Sequence, residues 1–189
     1  MDPVTIIVLV VLVVIVGGGV LLYNGLVQNR IRVDEAWAQI DVQLKRRHDL
    51  VPNLVNAVKG YMQFEQQVLQ NVTQARANAV AAGGRGPAAQ AAAENQLTQT
   101  LRSLFAVVEN YPDLKANQNV LALQEQLTTT ENQIAFARQN YNASVLAYNT
   151  SIATVPGNLL AGPFGFTRRE FFEAEPEAQQ VPQVDLTLS

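Results

Sequence analysis

A nearly pure aliphatic stretch at residues 4–22 constrains this chain more than any other feature. The stretch carries no charge, and fifteen of its residues are Val, Ile or Leu. At about 1.5 Å per residue, a helix of this length covers the roughly 30 Å hydrocarbon layer of a bilayer. We therefore expect a membrane-spanning helix, in which the span includes Val4, Ile7, Val11, Ile15, Gly18 and Leu22.

The residues that flank the stretch argue against a cleaved leader and predict an orientation. A signal peptide has basic residues before a shorter apolar region and a small-residue cleavage site after it, whereas only Asp2 precedes this stretch and Tyr23-Asn24-Gly25 follows. The nearest basic residues all lie on the carboxyl side: Arg30, Arg32, Lys45, Arg46 and Arg47. The positive-inside rule then predicts a single-pass protein of the bacterial cytoplasmic (inner) membrane, with the amino terminus outside and the soluble domain in the cytoplasm.

The composition excludes several classes of chemistry. The chain has no cysteine, which rules out disulfides, thiol catalysis and thiolate metal sites. Its single histidine, His48, cannot supply the two Glu-x-x-His motifs of a di-iron bundle, and we interpret it as a surface or hinge residue. No stretch is basic enough for a nucleic-acid surface. We expect no enzyme activity, no cofactor, no metal and no nucleic-acid partner.

The pattern of apolar residues after the stretch predicts an all-α fold. Apolar residues recur in alternating three- and four-residue steps, and no strand pattern is present. The best examples are the sets Leu97, Leu101, Leu104, Val108 and Leu127, Ile134, Tyr141, Val145, Tyr148, Ile152, Val155. Gly and Pro residues indicate helix ends at 83–87, 111–113 and 156–157. The predicted domains are an anchor at 1–25, a helical bundle at 26–156 and an aromatic, then acidic, tail at 157–189.

Two architectures compete for residues 28–82. They form either one long helix, kinked or restarted at Pro52, or two helices that fold back near residues 58–64. The second choice gives an antiparallel, up-down four-helix bundle, which buries more of every apolar face because the long last helix lies along the others. We favour the four-helix bundle, although the proposed hairpin lacks turn residues.

Four charged residues lie on or next to the apolar faces: Glu65, Arg76, Glu131 and Arg138. Burying a lone charge costs several kcal/mol, so such residues are expected to pair between helices. We predict that Glu65 and Glu131 pair with Arg76 and Arg138. The alternative is that these side chains lie on a solvated helix face.

The tail combines aromatic and basic residues: Phe164, Phe166, Arg168, Arg169, Phe171 and Phe172. In the antiparallel bundle the last helix returns toward the membrane, so these side chains could contact the bilayer surface. The tail could equally fold back over the open end of the bundle or contact a neighbouring subunit.

Short motifs occur in a fixed order along essentially the whole chain: Tyr23-Asn24-Gly25-Leu26-Val27, residues 46–55, Gly60-Tyr61 to Glu65, Ala75-Arg76-Ala77, residues 110–116, Glu131, Ala137-Arg138, Tyr141-Asn142, Tyr148-Asn149, Pro156 and Phe164-Gly165-Phe166. With these motifs the chain resembles the LemA family of bacterial membrane proteins. The resemblance implies a single-span membrane protein with an antiparallel four-helix soluble domain. The resemblance implies Asn rather than His at position 48 and supplies no catalytic residues.

Two functional hypotheses follow. The first is a non-enzymatic, membrane-anchored helical scaffold that self-assembles as a homo-oligomer and organises or remodels the bilayer. A related branch of the family takes part in magnetosome membrane formation, so this role follows by kinship. The second is a membrane-tethered adaptor that recruits another protein, including another membrane protein, through the bundle surface.

Overall fold

The computed structural model describes residues 2–61 and 65–172, and its regular structure over these ranges is helical throughout. The predicted all-α class is confirmed. The helices, in chain order, are α1 Pro3–Lys59, α2 Gln66–Ala82, α3 Pro87–Val108, α4 Pro112–Lys115, α5 Gln118–Ala153 and α6 Gly157–Ala161. The number of helices that make up one bundle stays a prediction, as do the domain boundaries.

Helix α1 joins the apolar stretch to the first helix of the soluble part without a break. It runs through residue 25, the predicted end of the anchor, and it contains Pro52 in its interior. A proline there removes one backbone hydrogen bond, but the helix does not restart at this position. Among the described residues, α1 is the one helix long and apolar enough to span a membrane, and none of its most apolar window is buried.

The helix breaks fall close to the predicted positions. Because α1 ends at Lys59 and α2 begins at Gln66, residues 28–82 are two helices rather than one rod. The glycine-rich segment at 83–86 is a turn, and Gly86 has φ of 102°, a value that L side chains rarely adopt. Pro87 then begins α3, where its fixed φ suits the first helical turn.

The chain divides into two compact units, which we describe separately. Of the described residues, unit 1 comprises 2–42 and 134–170, and unit 2 comprises 43–61, 65–133 and 171–172. Helices α1 and α5 each contribute to both units.

The core of unit 2 is aliphatic and takes residues from five helices. Its buried members are Val51, Leu54, Val58, Leu69, Val72, Ala75, Ala79, Leu97, Leu101, Leu104, Val108, Leu114, Val120 and Leu127. The whole predicted apolar face of α3 is therefore buried, as periodic spacing requires.

Unit 1 buries the apolar faces of α1 and α5. The buried residues of α1 are Leu26, Val33, Ala36 and Ile40, and those of α5 are Ile134, Ala137, Tyr141, Val145, Tyr148 and Ile152. The Trp37 and Tyr141 rings meet edge to face with centroids 5.2 Å apart. The apolar face of α5 ends at Ile152, because Val155 is 76% exposed.

Candidate functional site

In unit 1 the tail packs against the part of α1 that directly follows the apolar stretch. The Tyr23 ring lies 5.0 Å from the Phe164 ring and 5.7 Å from the Phe166 ring, centroid to centroid. A methyl group added to Gly157 would lie 3.5 Å from Cδ2 of Leu26, so the backbone at residue 157 packs closely on α1. We call Tyr23, Leu26, Gly157, Phe164 and Phe166 the collar.

Local sequence explains how the tail reaches this position. Helix α6 is only five residues long, and Gly165 follows it with φ of 69°, a conformation that favours glycine. The N–H of Phe166 donates to the carbonyl of Ala161 at 2.9 Å and closes this turn. Phe166 is consequently buried, whereas Phe164 remains 57% exposed.

Polar side chains of α5 hold the next part of the tail. Asn149 donates to the carbonyl of Arg169 and accepts from its N–H, both at 2.9 Å. The hydroxyl of Tyr141 donates to the carbonyl of Glu170 at 2.9 Å, and burial raises the pKa of Tyr141, which keeps this donor protonated. The Arg169 guanidinium pairs with Asp34 on α1 at 3.0 Å. The tail is thus attached to both helices of unit 1.

Charges are absent from a long part of unit 1 around the collar. Residues 3–29 and residues 139–167 contain no Asp, Glu, Lys or Arg. The first charged residues that follow these ranges in the sequence are Arg30 on α1 and Arg168 in the tail. The Arg30 guanidinium lies 5.5 Å from the centre of the Phe166 ring, a cation–π arrangement. An uncharged surface with aromatic rings, bordered by arginines, is typical of a protein surface at a membrane interface.

Unit 2 contains an ionic network centred on the buried side chains of Arg47 and Glu94, which also includes His48, Thr98 and the partly exposed Glu131. The Arg47 side chain is nearly inaccessible, with the whole residue 1% exposed. Its Nη1 donates to the Thr98 hydroxyl at 2.9 Å and to the Glu131 carboxylate at 2.5 Å. Its Nη2 donates to the Glu94 carboxylate and to the Glu94 carbonyl. One guanidinium therefore joins α1, α3 and α5.

Of the two acids in this network, Glu94 is the more buried. Its carboxylate also accepts a hydrogen bond from Nε2 of His48 at 2.8 Å. Burial alone would raise the pKa of Glu94, but the His48 hydrogen bond and the charge and hydrogen bond of Arg47 outweigh it, so the pKa is lowered. From α2, Nε of Arg76 donates to the carbonyl of His48 at 2.6 Å. We infer that the network fixes the register of the helices rather than performing chemistry.

The structure shows contacts for two of the four charged residues that were predicted to pair between helices. Glu131 does form an ion pair between helices, but its partner is Arg47. Arg76 bonds to the backbone of His48. Glu65 is half-buried at the N-cap of α2, and Arg138 is half-buried on α5 in unit 1; for these two residues the pairing stays a prediction.

The interpretation of His48 as a surface or hinge residue is wrong. Its side chain is 12% exposed and hydrogen-bonded to Glu94, because residue 48 follows Arg47 on the buried side of α1. The sequence carries a signal for Arg47 itself, which lies between Leu44 and Val51 in the same three- and four-residue steps as Ile40 and Leu54. Glu94 precedes Leu97 and Leu101 in a similar way.

The predicted tail residues divide into two groups. Phe164 and Phe166 belong to the collar, and Arg168 and Arg169 follow them in unit 1. Phe171 is 41% exposed, and Phe172 is fully buried. The predicted acidic end of the tail, from residue 173, lies outside the described residues. Within the described ranges, no three His, Asp or Glu side chains are grouped as a metal site requires.

Comparison with known proteins identifies relatives. The model of the LemA family matches residues 36–186. Magnetosome protein MamQ 1 and magnetosome protein MamQ 2 of Paramagnetospirillum magneticum (strain ATCC 700264 / AMB-1) are each 27% identical to the chain, over 83% of it. The chain spans 66% of the length of these relatives. Protein LemA of Metamycoplasma hominis is 24% identical over 88% of the chain and 74% of its own length.

Proposed function

Because the chain belongs to the LemA family, we propose that it is a membrane-anchored, non-enzymatic helical scaffold that self-assembles at the bilayer and organises or remodels it. The observation that carries the proposal is the collar, where Phe164 and Phe166 contact Tyr23 directly after the apolar stretch. The membrane is the bacterial cytoplasmic (inner) membrane, with the amino terminus outside and the soluble part in the cytoplasm, as the basic residues that follow the stretch favour.

The geometry supports a second contact with the bilayer besides the span. Tyr23 directly follows the last apolar residue of the span, Leu22, so a spanning α1 holds Tyr23 at the boundary between hydrocarbon and headgroups. Phe164 packs on Tyr23 and is 57% exposed, and nearby in the tail Leu159 is 68% exposed. At this position the transfer of apolar side chains from water into the membrane interface is favourable, because it removes their surface from water.

Two surfaces with few or no charges support self-assembly. In the apolar stretch, methyl groups added to Gly17, Gly18 and Gly19 would meet nothing within 4 Å, which leaves room for close approach of another spanning helix. On α5, Phe136 is 74% exposed and Leu146 is 59% exposed, and no charge lies between them except Arg138. An exposed apolar face with few charges tolerates a second copy of itself.

The relatives support the membrane role by kinship. Two of them are named magnetosome proteins, and they align with most of this chain. The alignment covers 66% of the length of those relatives, so the proposal concerns the aligned region only.

Cross-linking between single cysteines tests self-assembly. The natural chain has no cysteine, so F136C introduces one thiol on the exposed face of α5. Oxidation of full-length F136C in native membranes is expected to give a covalent homodimer, whereas A77C on the exposed face of α2 is expected to give much less. A strict monomer in both variants at membrane-like densities would contradict self-assembly.

The second candidate function is a membrane-tethered adaptor, which one surface of unit 2 favours. An open groove between α1 and α2 is lined largely by amide side chains, among them Asn56, Gln66, Gln70 and Gln74. Amides can hydrogen-bond to a bound peptide without charge selectivity. If the chain is an adaptor, a cross-linker at position 70 should capture one other protein, and the purified chain should stay monomeric.

A further inference from the structure

We propose that the arginines bordering the collar bind the headgroups of anionic phospholipids in the membrane that holds α1. This inference rests on the proposed function, because it requires the apolar stretch to lie in a bilayer. It goes further by assigning the ligand class, a phosphate-bearing lipid with net negative charge, and the residues that bind it, Arg30 and Arg168.

The order of charges is the same along both segments that leave the collar. On α1 the first charged residue after the apolar stretch is Arg30, and the first acid, Asp34, comes one helical turn later. In the tail the first charged residue after Phe166 is Arg168, and the first acid is Glu170. Both segments therefore present positive charge nearest to the collar and place negative charge beyond it.

The height of Arg30 suits the headgroup layer. Arg30 is the eighth residue after Leu22, which places it about 12 Å farther along the helix. Side chains of a helix lean toward its amino terminus, and here that direction is toward the apolar stretch. The Arg30 guanidinium accordingly lies over the Phe166 ring, which itself contacts Tyr23 at the end of the stretch. A long arginine side chain can thus reach lipid phosphates from this position.

The positive charges of Arg30 and Arg168 are largely uncompensated by neighbouring acidic residues. Asp34, the nearest acid to Arg30 along α1, is paired with Arg169 at 3.0 Å. Arg30 and Arg168 are both exposed. One guanidinium group can donate two parallel hydrogen bonds to two oxygens of a phosphate. The cation–π contact with the Phe166 ring orients the Arg30 guanidinium.

Competition between two lipids tests the inference on the full-length protein in mild detergent. Phosphatidylglycerol and phosphatidylcholine with matched acyl chains are added in equal amounts, and native mass spectrometry counts the lipids retained. Each basic residue at a membrane surface contributes about a fivefold preference for anionic lipid. We expect a preference for phosphatidylglycerol of about tenfold or more in the wild type, and a value near one in R30Q/R168Q.

The matched control is R46Q/R85Q, which removes two exposed arginines that belong to unit 2. This variant should keep the wild-type preference. An equal loss in R46Q/R85Q would overturn the assignment, because it would mean that total charge alone decides lipid retention. Unchanged preference in R30Q/R168Q would overturn it as well.

A salt titration of the wild type keeps the test independent of variant folding. Exposed charges are screened, so the preference should fall as salt rises from about 0.05 M to about 0.5 M. A preference that salt does not change would contradict binding by exposed arginines. Membrane fractionation separates this inference from the proposed function: a wild type that pellets with membranes but retains both lipids equally refutes the lipid site alone, whereas a wild type absent from membranes refutes the function.

Discussion

The collar in unit 1 and the ionic network in unit 2 both join segments that are distant in the sequence, but they use opposite chemistry. The collar excludes charge and relies on aromatic rings and one close backbone approach. The network places a guanidinium and two carboxylates beside an aliphatic core. Rings tolerate both water and lipid, so their contacts persist at an interface, whereas a buried ion pair depends on a dry, complete set of partners.

This difference gives the two units different sensitivities. Removing one member of the network leaves the opposite charge buried without compensation, which costs more than the pair itself contributes. Removing a ring from the collar costs packing in proportion to its burial. Matched pairs of variants can therefore distinguish the two units.

The largest effect is expected for R47M. Met preserves much of the volume but leaves Glu94 buried without its cation, so the free energy of unfolding should fall by about 3–5 kcal/mol. Its neighbour Arg46 is exposed, and R46M should change stability by less than about 0.5 kcal/mol. Denaturant unfolding of the full-length protein in detergent measures both. Equal effects of the two variants would show that the network does not stabilise unit 2.

The next largest loss of stability is expected for only one of the two phenylalanines of the collar. Phe166 is buried between Tyr23 and Arg30, so F166A should cost about 3 kcal/mol. Phe164 is 57% exposed, so F164A should cost much less stability while weakening the contact with lipid. Thermal unfolding monitored by the fluorescence of Trp37, which belongs to unit 1, compares them. If F164A were the more damaging change, the assignment of buried and lipid-facing rings would be reversed.

A smaller effect is expected for G157A. The new methyl group would lie 2.0 Å from the carbonyl oxygen of Ser151, a backbone atom that cannot move away cheaply. We expect a loss of about 1–3 kcal/mol and faster proteolysis of the tail. Gly162 has an ordinary helical conformation and open space around its Cα, so G162A should be nearly neutral. Rapid tail cleavage in G162A but not in G157A would contradict the close approach of residue 157 to the Ser151 carbonyl oxygen.

The smallest effect concerns the pH dependence of unit 2. Because the pKa of Glu94 is lower in the folded state than in the unfolded chain, its ionised form stabilises the fold above the ordinary glutamate range. That stabilisation is lost as the pH falls through this range toward the folded pKa. Thermal midpoints from neutral pH down to about pH 3 should fall less steeply in E94Q than in the wild type. The exposed Glu109 provides the control, since E109Q should keep the wild-type slope.

Much of the fold could be predicted from the sequence, because it depends on local patterns. The apolar stretch, the turn at residues 83–86 and the buried face of α3 follow from hydropathy, glycine conformation and helical period. The break between α1 and α2 also fell within the predicted residues, since folding back buries more apolar surface than a single long helix.

The partners of the buried charges could not be predicted in the same way. Periodicity identifies a charge on an apolar face, as it did for Glu131, but it does not say which helix lies opposite. The apolar spacing does include Arg47, but the run of three basic residues, Lys45 to Arg47, is equally typical of a solvated flank of the span. The contact between Tyr23 and the tail likewise depends on tertiary packing over most of the chain length, which no local pattern encodes.

A depth measurement shows whether the collar lies at the bilayer surface. In this cysteine-free chain, F164C and A38C each accept one polarity-sensitive fluorophore, and both positions belong to unit 1. Residue 38 lies about 24 Å along α1 from Leu22. In vesicles that carry a quencher in the headgroup region, the label at position 164 should be strongly quenched and the label at position 38 should not. Equal, weak quenching at the two positions would show that the collar does not lie at the bilayer surface.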